Sequence, residues 1–174
     1  IFLPTVFLLY WFVFNKSIRL QNAFIVVASY FFYACWDWRF LFLIALTSVS
    51  SWYSGYLIKY FSTSSHKKSN NKKEKSILIC NIVLNISILV FFKYYNFFTE
   101  SFVSFFTLFG KELNISTLNI ILPVGISFYT FQAISYSIDV YKGKITATDD
   151  IIAFLAFVSF FPQLVAGPIE RATN

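Results

Sequence analysis

Two stretches of this chain place helix-breaking residues inside strongly apolar sequence. They are Leu122-Pro123-Val124-Gly125-Ile126-Ser127-Phe128-Tyr129-Thr130-Phe131-Gln132 and Phe160-Phe161-Pro162-Gln163-Leu164-Val165-Ala166-Gly167-Pro168-Ile169. In hydrocarbon, a broken helix leaves backbone N–H and C=O groups without partners. Such a break survives only where neighbouring protein or a water-filled cavity satisfies them. Two breaks in one region therefore predict a polar site enclosed within a membrane bundle.

Composition supports the membrane setting. Hydrophobic residues make up 57% of the chain and charged residues 13%, where a soluble domain carries about a quarter charged. The 24 Phe, 11 Tyr and 4 Trp suit side chains that face lipid or anchor at the headgroups. The expected fold is an all-α integral membrane protein with five to six transmembrane or re-entrant helices. Residues 1–174 form one membrane domain. The chain opens at Ile1 within an apolar run and closes at Asn174 soon after another, as expected of a piece of a longer protein. Cys35 and Cys80 fall in apolar segments without metal or redox spacing, and read as packing residues.

The apolar segments run over 1–14, 20–36, 40–58, 76–98, 123–140 and 151–169. Trp36-Asp37-Trp38-Arg39 reads as a boundary belt. Lys59–Lys75 carries six lysines against Glu74 and reads as a solvated loop. Residues 99–121, with Phe102, Phe105, Phe106 and Phe109 at helical spacing, read as an interfacial amphipathic helix. The positive charge near Lys16 and Arg19 and in the 59–75 loop puts both on the cytoplasmic side. The Tyr141–Asp150 loop then returns to that side. The net charge of +6 is explained by this topology rather than by nucleic acid, since the basic loop has no interleaved aromatic residues.

No convincing catalytic base is present. His66 lies in Ser64-Ser65-His66-Lys67-Lys68 without an orienting carboxylate, and neither a nucleophile elbow nor a metal-ligand cluster occurs. What remains is a set of polar residues inside apolar segments. Gln132, Tyr136 and Asp139 follow i, i+4, i+7 spacing, and Tyr129 extends the same stripe. Such a stripe faces protein or water rather than lipid. It serves either as interhelical bonding or as the wall of a substrate path. Asp139 also fits a marker of the inner boundary. Gln163, between Pro162 and Gly167-Pro168, is a site candidate because broken helices aim backbone dipoles into cavities. Arg171 fits an anion-attracting residue or an anchor equally well.

The string from Leu122 to Gln132, continuing through Ser135-Tyr136-Ser137-Ile138-Asp139-Val140-Tyr141-Lys142-Gly143, resembles the membrane-bound O-acyltransferase family. It is most similar to the bacterial branch that acetylates alginate and related polysaccharides. Phe157–Ile169 matches a second signature of that branch, with Arg171 following it, and weaker agreement covers Ala28–Ala34 and Phe91–Tyr94.

The resemblance implies acyl transfer from a thioester donor, acetyl-CoA or an acyl carrier, to hydroxyls of an extracytoplasmic glycan. It also implies partner acetyltransferase proteins, location in the bacterial inner membrane and no bound cofactor or metal. The family's characteristic histidine is expected beyond Asn174, which makes this chain the N-terminal part of such an enzyme. A transporter or flippase, or a structural membrane subunit, are the alternatives that the residues alone leave open.

Overall fold

The computed structural model describes residues 1–13, 17–63, 67–108 and 125–166, and all the regular structure among them is helical. Helix α1 spans Phe2–Phe12 and α2 spans Ile18–Asp37, where the Ser17 side chain caps α2 by accepting from the Leu20 amide. At Asp37 the backbone turns extended (φ −159°, ψ 114°), and its carboxylate accepts the Arg39 amide at 2.9 Å. A short 3₁₀ turn, Trp38–Phe40, then leads into α3, Leu41–Thr63. Trp36 and Trp38 beside this break are exposed, as a boundary belt requires.

Helix α4 runs Lys67–Leu108, α5 Ile126–Tyr141, α6 Ile151–Ser159 and α7 Phe161–Ala166. The stretches Ile18–Ser62 and Lys72–Tyr95 are long and apolar enough to cross a membrane, while Phe2–Phe12 and Ile151–Leu164 are shorter apolar helices.

Three expectations are corrected. The 59–75 stretch is not one loop: α3 continues to Thr63 and α4 already begins at Lys67. Lysine is a good helix former, and a helix that emerges from the bilayer can continue in water at little cost. Residues 99–108 are not a separate helix but the end of the 42-residue α4. No helix breaker lies between Ser76 and Leu108. Cys35 and Cys80 are exposed on α2 and α4 rather than packed in the core.

The bundle combines an apolar outer surface with polar side chains buried between its helices. Phe7, Trp11, Phe31, Phe42, Val83 and Phe97 are among the large apolar side chains that face outward. Ser29, Thr47, Ser48, Ser51, Ser54, Asn81, Asn85, Gln132, Ser137 and Asp139 are buried. In lipid an outward Phe costs nothing, whereas a polar group must find its partner inside.

Helices α3, α4 and α5 form the centre, and α2 packs along α6 and α7. The central three are joined by a buried network. Asn81 donates to Ser137 Oγ (2.9 Å) and Ser51 Oγ (3.2 Å), Asn85 donates to Asn81 Oδ1 (3.0 Å), and the Ser54 and Ser137 hydroxyls lie 3.0 Å apart. Small residues let these backbones approach closely. A β-carbon on Gly55 of α3 would meet the Tyr136 ring of α5 at 2.8 Å.

The loop from Lys142 to Asp150 is clamped to the end of α3. Trp52 Nε1 donates to the Thr148 carbonyl (3.0 Å), the Thr148 amide donates to the Tyr136 hydroxyl (3.1 Å), and Lys59 pairs with Asp149 (2.6 Å). The Lys59 end of α3 and the 142–150 loop therefore occupy the same end of the bundle. Asp150 then caps α6, its Oδ1 accepting the Ile152 amide at 2.9 Å.

Candidate functional site

Both helix-breaking strings were expected to interrupt helices; among the described residues the second does so at Phe160, and the described end of the first starts α5 beside it. Gly125 caps α5 in the left-handed region (φ +75°), and a β-carbon there would lie 2.8 Å from the Leu164 carbonyl of α7. Glycine is thus required twice, by its dihedral and by the contact. The second interruption falls at Phe160 (φ −57°, ψ 107°), between α6 and α7. Pro162 sits in the first turn of α7, where its missing N–H would have had no helical partner.

The break at Phe160 frees several backbone groups, and two of them have a side-chain partner from another helix. In an unbroken helix the Phe161 amide would bond the Phe157 carbonyl. Instead, the Phe161 amide donates to Ser29 Oγ of α2 at 3.2 Å. The Phe157 carbonyl accepts from Gln132 Nε2 of α5 at 3.1 Å. Ser29 and Gln132 are 1% and 2% exposed, so water does not compete for either bond. Restarting α7, the Phe160 carbonyl accepts the amides of Gln163 (3.1 Å) and Leu164 (3.2 Å).

The helix lengths locate this site. From Asp150 to Phe160, and equally from Lys142 to Gln132, ten residues of helix rise roughly 15 Å. The break, its Gln132 splint and the α7 turn carrying Gln163 therefore sit about 15 Å along the helices from the 142–150 loop.

The proposed polar stripe of α5 divides by role. Gln132 bonds α6. Tyr136 accepts from Thr148 and packs its ring on Phe154, with centroids 4.5 Å apart. Both act as interhelical ties. Tyr129 is different: it is fully buried and its hydroxyl has no partner among the described residues. Asp139 lies near the loop end of α5, 4% exposed, with Lys144 Nζ 3.9 Å from Oδ1 and no partner on Oδ2. Its own carbonyl accepts the Lys144 amide at 2.9 Å, part of the bond pair that ends α5 at left-handed Gly143. Gln163 is half-buried in the first turn of α7. Arg171, His66, Pro123 and the Gly167-Pro168 pair lie outside the described residues.

Sequence reasoning missed Ser29, the partner of the Phe161 amide, and the network of Ser51, Ser54, Asn81, Asn85 and Ser137. A signal for the latter existed. Thr47, Ser51 and Ser54, like Asn81 and Asn85, recur at three- and four-residue spacing along apolar helices. An almost wholly apolar groove of about 360 Å³ opens beside the break, lined by Leu3, Val6, Tyr10, Ile25 and Phe160 among others.

These features define a helical membrane protein with an apolar outer surface, buried polar ties between helices and a side-chain-splinted helix break. The chain is 39% identical over 98% of its length to the probable alginate O-acetylase AlgI of Pseudomonas aeruginosa, covering 31% of that protein. It is 38% identical to the protein of the same name from Azotobacter vinelandii, over 98% of this chain and 32% of the relative. The peptidoglycan O-acetyltransferase of Helicobacter pylori is 32% identical over 97% of this chain and 34% of the relative. The chain thus spans about a third of the length of the curated relatives it matches. No family model matches the chain, and no solved structure does.

Proposed function

We propose that this chain is a membrane-embedded, N-terminal part of a polysaccharide O-acetyltransferase, with the α6–α7 break lining the path of the acetyl group. The observation that carries this reading is the 39% identity to an alginate O-acetylase across 98% of the chain. The splinted break gives that similarity a physical location.

The donor in this reading is an acetyl thioester, acetyl-CoA or an acetylated carrier, presented on the cytoplasmic side where Lys59 and the 142–150 loop lie. The acceptor is a hydroxyl of an extracytoplasmic glycan, reached directly or through partner acetyltransferase proteins. Helices α1 to α5 act as spans and α6–α7 as a re-entrant segment, in the bacterial inner membrane. The acceptor oxygen bonds the acetyl carbon, the C–S bond breaks and the hydroxyl proton ends on the thiol. A thioester is already activated, so transfer needs a base beside the hydroxyl and dipoles aimed at the developing oxyanion. The base is assigned to a histidine outside this chain. The ties at Ser29 and Gln132 hold the backbone of the path in a water-poor setting, which limits thioester hydrolysis.

Full-length protein in vesicles, given radiolabelled acetyl-CoA and a glycan acceptor, is expected to move label onto base-labile O-acetyl esters. Movement of an intact solute across the vesicle without ester formation would replace the enzyme with a transporter.

A further inference from the structure

The interior around the break contains a hydroxyl that the fold itself does not use. Tyr129 is 0% exposed, on the face of α5 that also carries Gln132 one turn later, and its hydroxyl makes no hydrogen bond among the described residues. Nearby polar groups behave otherwise. Gln132 and Ser29 are consumed in splinting the break, and Tyr136 is consumed by the Thr148 amide.

Tyr30, next to Ser29, and Thr130, next to Tyr129, also keep buried hydroxyls without partners. These hydroxyls lie on α2 and α5, the two helices that supply the splint. Leaving a buried hydroxyl unpaired costs about 1–3 kcal/mol. Within the stripe Gln132 and Tyr136 are bonded and Asp139 lies away at the loop end, so near the break Tyr129 is the group left available to something that enters.

We infer that the Tyr129 hydroxyl is a substrate-binding donor that hydrogen-bonds the carbonyl oxygen of the acyl group as it passes the break. The inference rests on the acyltransferase reading and names the residue that meets the acyl group. A carbonyl oxygen is the matching chemistry: it accepts from a phenol, carries no charge to desolvate and belongs to a small group.

The decisive variant is Tyr129→Phe in the full-length protein. It removes only the hydroxyl, so the fold loses no bond and sheds an unsatisfied polar group. The melting temperature is expected to be unchanged or higher, while acetyl transfer falls about tenfold, the worth of one hydrogen bond. Stabilisation of the protein by added acetyl-CoA is expected to shrink in parallel.

Tyr136→Phe supplies the contrast, since it orphans the Thr148 amide and is expected to lower the melting temperature. Transfer by Tyr129→Phe equal to wild type would overturn the inference and leave the acyltransferase reading standing, with the hydroxyl assigned to an internal water. A fall in transfer accompanied by a fall in melting temperature would overturn it in favour of a packing role. A wild-type protein that neither transfers acetyl nor is stabilised by the thioester would remove the acyltransferase reading itself.

Discussion

Replacing Gln132 with leucine in the full-length protein is expected to lower its thermal stability by roughly 2 kcal/mol or more and to impair acetyl transfer with it. Leucine fills a similar volume, so no large cavity forms. What is lost is the sole bond from α5 to the Phe157 carbonyl that the structure shows, at 3.1 Å. That carbonyl cannot fall back on its helical partner, because the Phe161 amide is committed to Ser29. A buried unsatisfied acceptor costs about 1–3 kcal/mol, and several in surroundings without water. Gln132→Glu sharpens the test. Protonated within the bundle, its carboxyl can donate to the same carbonyl, and it should retain more stability than leucine. Thermal unfolding in detergent that ranks leucine equal to wild type would show that the break does not need its splint.

Gly125→Ala is expected to produce the larger loss, roughly 2–5 kcal/mol from two sources. About 1–2 kcal/mol comes from placing a β-carbon in the left-handed region. About 1–3 kcal/mol comes from forcing α7 away from a contact that is already close. The new carbon would sit 2.8 Å from the Leu164 carbonyl, which is backbone and cannot swing aside. Gly143 provides an internal control, since it too is left-handed (φ +68°) but a β-carbon there meets nothing within 4 Å. Gly143→Ala should therefore show the backbone penalty alone. Unfolding curves in which the two alanine variants lose the same stability would remove the close packing of α5 on α7 from the account.

Much of this organisation was legible in the residues. Proline, glycine and glutamine inside apolar runs announced that helices would break and that something would satisfy the break. The dihedral at Gly125 and the interruption before Pro162 follow from steric rules that act within a few residues. The bonding partners were not legible. Ser29 is one serine in an apolar helix, and nothing local shows that it faces an amide 132 positions later in the chain.

Long-range pairing of this kind is decided by how helices pack, and periodicity reports only which face is polar. The same limit applies to the α5 stripe. Spacing placed Tyr129, Gln132, Tyr136 and Asp139 on one side, but only packing separates the bonded Gln132 and Tyr136 from the unpaired Tyr129. The 59–75 stretch was misread for the opposite reason. Its composition signals solvent, and solvent exposure does not prevent lysine-rich sequence from remaining helical.

The claim that the α6–α7 break borders a polar acyl path inside the membrane is tested most directly by reactivity at Gln163. A single cysteine is placed there by Gln163→Cys in full-length protein freed of its native cysteines and held in vesicles. A second protein carries Val83→Cys, an outward-facing position 57% exposed near the middle of α4. A water-soluble thiol reagent is expected to label position 163 much faster than position 83, and acetyl-CoA should slow labelling at 163 alone. Labelling at 163 as slow as at the lipid-facing site, or unaffected by the thioester, would contradict the account.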